Sequence, residues 1–251
     1  MKTICILAIG NSFSEDATRY LHQMATANGI HTKIVNLYIG GCPLERHWRN
    51  IEENQAEYQY QENGIPTDRY VSIEEVLQEE NWDYIVTQQA SHDSGWSESY
   101  EPFLGLMMEY LNQKAPSAEI LLQETWAYEN DSTHPNFMRY HRDQAEMYQR
   151  LRRCYGEMAQ KYQIRMIPSG DAVQAIRQNK MFQVPCGGLS ICRDGFHMSL
   201  LYGRYLLACV WLKTLFSASL EKIVFIPCNI QTAEWAKAEV LEQIHQAVRS
   251  L

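Results

Sequence analysis

The sequence predicts an α/β protein: a three-layer α/β/α sandwich with a five-stranded, mostly parallel sheet. Three observations lead there. Short β-rich apolar runs alternate along the chain with longer stretches of helical spacing. Parallel strands need crossover connections, so this alternation reads as βαβ units with helices on both faces of the sheet. The length of 251 residues and a hydrophobic content of 45% suit one domain spanning 1–251 with a sizeable core.

Residues 4–9, all apolar, form the first expected strand. A helix is expected over 15–28, with Leu21, Met24 and Ala25 at helical spacing and Gly29 as its stop. Residues 33–39, 84–87, 119–122 and 164–167 supply the second to fifth strands. Helical patterns cover 73–80, 103–113, 144–161 and 171–178, and a final helix is expected over 233–249. The most apolar stretch, 200–216, contains Arg204 and Lys213 and reads as a core helix. Three stretches exceed ordinary connections: 42–71 with Trp48, Tyr58 and Tyr60; 126–141 with Trp126, Tyr128 and His134; and 180–194 with Pro185 and Gly187-Gly188. Long insertions in compact domains are usually functional or disordered, and the aromatic content here favours ordered loops around a site.

Composition narrows the function. The formal charge is −8, and the densest basic cluster, Arg150, Arg152 and Arg153, shares its helical stretch with Glu146 and Glu157. Such a chain lacks the basic face of a nucleic-acid binder, and a small neutral or weakly polar substrate fits better. No apolar run approaches the roughly 18 residues of a membrane span. The run after Met1-Lys2 passes directly into Gly10-Asn11-Ser12 without a cleavage site, so it reads as a buried strand, and a cytoplasmic location is expected. The seven cysteines are odd in number, irregularly spaced and free of C-x-x-C, the pattern of reduced thiols; a Cys186–Cys192 loop clip is the one disulfide considered.

Ligands of parallel sheets bind at the carboxyl ends of the strands, so 10–14, 40–43, 88–94, 123–128 and 168–170 are the segments to inspect. Gly10-Asn11-Ser12-Phe13-Ser14 lies at a strand-to-helix turn. A serine there can present its Oγ above the sheet edge while its N–H points into the same space; alternatively, Ser12 or Ser14 caps a helix with Glu15 and Asp16 in its first turn. No phosphate-binding glycine motif is present. Near the other end stands Asp194-Gly195-Phe196-His197. A serine needs a base such as histidine, and the histidine needs a carboxylate to hold its tautomer. The alternative is a helix-capping Asp194 beside an ordinary polar His197. His92, Asp93, His134 and His141 match no compact metal-ligand spacing, so neither a metal nor a cofactor is expected. His22, His31, His47 and His245 read as surface or helix-face residues.

Taken as a pair, the Gly-Asn-Ser-Phe-Ser block and the late Asp-x-x-His block resemble the SGNH/GDSL hydrolase superfamily. The overall pattern is similar to a poorly characterised SGNH-like branch of bacterial proteins of unknown function. Asn11 stands where many members have Asp, and Phe13 where they have Leu. The resemblance implies a flavodoxin-like SGNH hydrolase fold, with Ser12 as nucleophile, His197 as base and Asp194 as its carboxylate. It implies oxyanion donors at the N–H groups of Ser12 and Gly41, the latter in Ile39-Gly40-Gly41-Cys42-Pro43. The family's G-x-N-D block is absent. Gln88 is the expected third donor by strand position, with Gln89 and His92 as alternates. Trp126, Tyr128 and His134 are expected to bind substrate, since aromatic faces with a few polar groups suit sugar rings or aryl esters. The function implied is a serine esterase that cleaves short acyl esters, O-acetylated carbohydrates among them, through an acyl-enzyme on Ser12. An acyltransferase on the same triad and a non-catalytic carbohydrate-binding protein are the alternatives.

Overall fold

The computed structural model describes residues 2–220, 223–229 and 232–251; Met1, which opens the amino-terminal run, lies outside them. The strands are β1 (Ile4–Gly10), β2 (Thr32–Tyr38), β3 (Tyr58–Glu62), β4 (Ile65–Val71), β5 (Tyr84–Thr87), β6 (Glu119–Gln123), β7 (Arg165–Ile167), β8 (Cys228–Asn229) and β9 (Glu234–Trp235). The helices are α1 (Ser12–Thr18), α2 (Leu21–Ala27), α3 (Leu44–Glu52), α4 (Ile73–Leu77), α5 (Phe103–Lys114), α6 (Gln144–Tyr162), α7 (Ser169–Ile176), α8 (Tyr202–Phe216) and α9 (Ala238–Arg249).

β1 is buried from Cys5 to Gly10, as a strand covered on both faces must be. It pairs in parallel with β2 and β5, and β6 and β7 extend the parallel sheet beyond β5. These are the five expected strands. The full sheet nevertheless has seven, in the order β4-β3-β2-β1-β5-β6-β7. The two additional strands form an antiparallel hairpin on the β2 edge, built from the long 42–71 stretch. Its turn is Asn63-Gly64, with φ of 52° and 79°. Asn-Gly with both residues left-handed is the strongest short hairpin signal, and Tyr58 and Tyr60 alternate inward beside it. A Cβ at position 64 would lie 2.4 Å from the Arg19 carbonyl oxygen, so glycine is required there. β4 carries Pro66 and the exposed Ile65 and Tyr70, as an edge strand tolerates.

Two helices depart most from expectation. The 15–28 helix is two helices, because the chain turns at Arg19-Tyr20, where Tyr20 donates from its hydroxyl to the Leu200 carbonyl, 2.7 Å away. The last helix starts at Ala238 rather than 233, since Ala233 is left-handed (φ 55°) and 234–235 pair with 228–229. α8 is buried nearly all round, from Tyr205 to Leu212 without interruption, and is the core helix expected. Among the described residues no helix is long and apolar enough to cross a membrane. α1, α2, α7, α8 and α9 pack together in one group, and α3, α4 and α5 in a second. All seven cysteines are free, so the Cys186–Cys192 clip does not form.

Candidate active site

The site lies at the carboxyl ends of β1 and β2, as the rule for parallel sheets requires. Asn11 caps α1, accepting the Phe13 N–H on Oδ1 at 3.0 Å, and Ser12 is the first residue of that helix. The cap is therefore Asn11, which leaves the Ser12 hydroxyl free for another partner. That partner is His197 Nε2, 2.8 Å from Ser12 Oγ. On the other side of the ring, His197 Nδ1 is 2.7 Å from Asp194 Oδ2. A carboxylate only accepts, so Nδ1 carries the proton and Nε2 is left to receive one from the serine.

Local geometry explains the Asp-x-x-His spacing. Asp194 Oδ1 accepts the N–H groups of Phe196 (3.2 Å) and His197 (2.8 Å). The turn is closed by Arg193 N–H to His197 O at 2.9 Å and by the pairing of Cys192 with Met198. It is thus a tight hairpin that precedes α8 by several residues, rather than that helix's first turn. Gly195 sits in it at φ 86°, and a Cβ there would meet Ser132 Cα at 2.8 Å. Partial burial pushes the Asp194 carboxyl up, but hydrogen bonds from the His197 ring and backbone outweigh it, and the net pKa lies below the ordinary value.

Asp16, one helical turn beyond Ser12, ties the two segments together. It is fully buried and accepts from Arg193 Nη1 on both oxygens at 2.9 Å, from Arg204 Nε at 2.7 Å and from the Met198 N–H at 2.9 Å. Sequence reading gave it only a role in the first turn of a helix. A carboxylate four residues after the serine, in the first turns of the same helix, is the signal that was available.

A cavity of about 310 Å³ opens over Ser12 and His197 and is lined also by Gly40, Gly41, His92 and His134. Gly41 is left-handed at φ 62°, and a Cβ on it would point into open space. Among the described residues, neither the Ser12 nor the Gly41 N–H meets a protein acceptor. Gln88 does not line this cavity. Its amide nitrogen donates to Asn11 Oδ1 at 2.8 Å and its oxygen accepts from Gln123 Nε2 at 2.6 Å, and the residue is 1% exposed. Gln89 is also turned away: its oxygen caps the Leu44 and Ala90 N–H groups and its nitrogen reaches Ser99. Of the three expected third donors, only His92 reaches the cavity wall.

The expected substrate residues divide in the same way. His134 lines the cavity. Trp126 and Tyr128 are fully buried beneath it. Trp126 stacks on Phe13, with centroids 4.0 Å apart, and donates to the Phe196 carbonyl at 2.7 Å; the Tyr128 hydroxyl is 2.9 Å from Ser91 Oγ. They support the walls rather than form them. Phe196, not singled out beforehand, lies in the wall between His134 and His197, with ring centroids 4.7 and 4.1 Å away. Two histidines read as surface or helix-face residues lie on inward helix faces: His245 of α9 is buried against Tyr205, and His47 of α3 is fully buried, 2.9 Å from the Tyr58 hydroxyl, with burial lowering its pKa to about 3.

Comparison with known proteins places the fold. The fold resembles that of an acetylxylan esterase from Geobacillus stearothermophilus at 13% identity, with 88% of this chain and 94% of that one covered and a TM-score of 0.54. It likewise resembles a proposed SGNH hydrolase from Slackia heliotrinireducens at 19% identity, covering 85% and 100% of the two chains, with a TM-score of 0.57. A DUF4886 family protein from Bacteroides uniformis ATCC 8492 is 35% identical over 99% of this chain and 94% of its own, with a TM-score of 0.89. No curated protein matches the chain. The family model described as "Domain of unknown function (DUF4886)" matches residues 5–243, and the chain, carrying the α/β fold of the SGNH hydrolases, belongs to that family.

Proposed function

We propose that the protein is a serine esterase acting on short acyl esters, with O-acetylated carbohydrates as the substrate class. The observation that carries this reading is the unbroken line from Ser12 Oγ through the His197 ring to Asp194, with gaps of 2.8 and 2.7 Å, at the mouth of a cavity. His197 Nε2 takes the hydroxyl proton as Ser12 Oγ attacks the ester carbonyl. Asp194, held ionised, orients the ring and stabilises the imidazolium. The free N–H groups of Ser12 and Gly41 receive the oxyanion; one such donor is typically worth on the order of 10²–10³ in rate. Collapse breaks the C–O bond, and the leaving alcohol takes the proton from His197. Water, deprotonated by His197, then releases the acid and restores Ser12.

The cavity volume of about 310 Å³ lies at the small end for ligand sites, which supports a short acyl group. His134 Nδ1 accepts the Asn136 N–H at 3.2 Å, and burial lowers this ring's pKa, so it stays neutral with its proton on Nε2. It is a fixed donor suited to a sugar hydroxyl. The fold shared with an acetylxylan esterase supports the same class. The test is hydrolysis of p-nitrophenyl acetate and of acetylated xylo-oligosaccharides by the wild type and Ser12→Ala, with fluorophosphonate labelling of Ser12. Turnover by the wild type and none by a folded Ser12→Ala is expected; equal turnover by both, or an unlabelled and inactive wild type, ends the reading.

A further inference from the structure

Three carboxamides from neighbouring strand ends form a buried chain beneath the cavity. Gln123, at the end of β6, donates from Nε2 to Gln88 Oε1 at 2.6 Å. Gln88, just after β5, donates from Nε2 to Asn11 Oδ1 at 2.8 Å. Asn11, just after β1, donates from Nδ2 to the Cys42 carbonyl at 3.1 Å, in the turn that follows β2. Each of the three side chains is at most 2% exposed. The chain thus crosses four adjacent strands, β6, β5, β1 and β2, and ends on the carbonyl of Cys42, the residue after Gly41.

Its direction is set by the backbone at one end. The Phe13 N–H obliges Asn11 to present Oδ1 on that side, and the Cys42 carbonyl obliges it to present Nδ2 on the other. With Oδ1 fixed as acceptor, Gln88 must offer its nitrogen, which turns its oxygen towards Gln123, and Gln123 must then offer a nitrogen too. Only a group with a donor and an acceptor on one planar head fills the Gln88 and Asn11 links, whereas Gln123 is needed as a donor alone; carboxylates only accept. This accounts for asparagine at position 11 and for the commitment of Gln88 away from the cavity.

We propose that Gln123, Gln88 and Asn11 are positioning residues that hold the Gly40-Gly41-Cys42 turn so that the Gly41 N–H faces the ester carbonyl; the proposal rests on the esterase reading above. Cys42 itself is anchored, its side chain fully buried with the thiol 3.5 Å from His47 Nδ1, whereas Gly40 and Gly41 before it are exposed. The turn's backbone bond from Cys42 N–H to Ile39 O is long, at 3.3 Å, and the space beyond Gly41 is open. Chained hydrogen bonds polarise one another, so a break at the far link is felt at the near one.

The deciding variant is Gln123→Met, which touches neither Ser12 nor the cavity and keeps the side-chain volume. For p-nitrophenyl acetate, kcat should fall roughly tenfold to 10²-fold with KM within about twofold, since a displaced oxyanion donor is lost in the transition state only. Asn11→Asp should give a comparable or larger loss. In the double variant the Gln123→Met effect should largely vanish, because the chain is already cut. The Gly41 amide resonance, which needs no turnover, should shift in Gln123→Met. Wild-type kcat with an unmoved Gly41 resonance overturns the proposal, as does full additivity in the double variant. Should Gln123→Met melt below the assay temperature, Gln88→Asn, which keeps the amide but shortens its reach, takes its place with the same expectations. A wild type without turnover or Ser12 labelling, but with a Gly41 shift in the variant, leaves the positioning network standing and removes the esterase reading instead.

Discussion

Replacing Asp16 with alanine removes the buried carboxylate that fastens the His197 hairpin to the Ser12 helix. Asp16 has no exposed surface and accepts from the Arg193 and Arg204 guanidiniums and from the Met198 N–H, at 2.7 to 2.9 Å. Charge-assisted hydrogen bonds are worth about 1.5–3 kcal/mol each, so three donors set a gross loss of roughly 5–9 kcal/mol. The arginine side chains remain 30% and 15% exposed, so both regain part of their hydration once the carboxylate is gone. The net loss expected is therefore about 3–5 kcal/mol, the usual result of deleting one partner of a buried ion pair. For a chain of this size that lowers Tm by roughly 6–20 °C. The second readout is kcat on p-nitrophenyl acetate, measured well below the variant's Tm, where loosening of the hairpin should cost about 10²-fold. Asp16→Asn, which keeps the shape and loses the charge, should fall between. Melting by circular dichroism within about 3 °C of wild type, together with unchanged kcat, would refute the clamp; a 1 kcal/mol effect already moves Tm by about that much.

Further outcomes follow from single contacts. Asp194→Ala should lower kcat strongly yet leave more residual activity than His197→Ala, since it removes the group that orients the ring and not the base; steady-state kinetics of the two variants side by side check the order. Trp126→Ala deletes a fully buried indole that stacks on Phe13 and holds Phe196, and should cost about 3–5 kcal/mol in denaturant unfolding. Glu124 is fully buried and accepts the Asp171 N–H at 2.7 Å, and burial first, then the charge of the Asp171 carboxylate, raises its pKa to about 8. The folded state thus keeps a proton that the unfolded chain has released, so wild-type stability falls as pH rises from about 4.5 to 8, by up to about 1.4 kcal/mol per pH unit from this group. Glu124→Gln removes that slope, and Tm profiles of the two proteins that stay parallel across this window would exclude it.

The parts of the fold and site that could be read from the residues are those governed by local rules. The central parallel strands β1, β5 and β6 announce themselves as short apolar runs because they are buried along most of their length. Ser12, Asp194 and His197 were legible because their chemistry requires particular residue types at a turn and at a short spacing, and the three side chains do meet. The β3–β4 hairpin carried its own signal in Asn63-Gly64, but polar alternating strands look like loop when read by hydrophobicity. Gln88 was misplaced for a different reason: its position after β5 is correct, yet which way a side chain points depends on partners from β1 and β6 that no local pattern reveals. Trp126 and Tyr128 belong to the right loop, but their size makes them more useful in its packed base than on its surface. Asp16 escaped notice because its three donors come from residues about 180 positions away.

The hairpin that carries Asp194 and His197 spans only a few residues and is pinned by Gly195 against the 129–132 loop, where the Gly195 carbonyl accepts the Glu129 N–H at 2.7 Å. Asp194 and His197 are therefore held within one short, pinned segment. The contact between Ser12 and His197 thus joins two separate segments, fastened to each other through Asp16, while the contact between His197 and Asp194 lies within the hairpin.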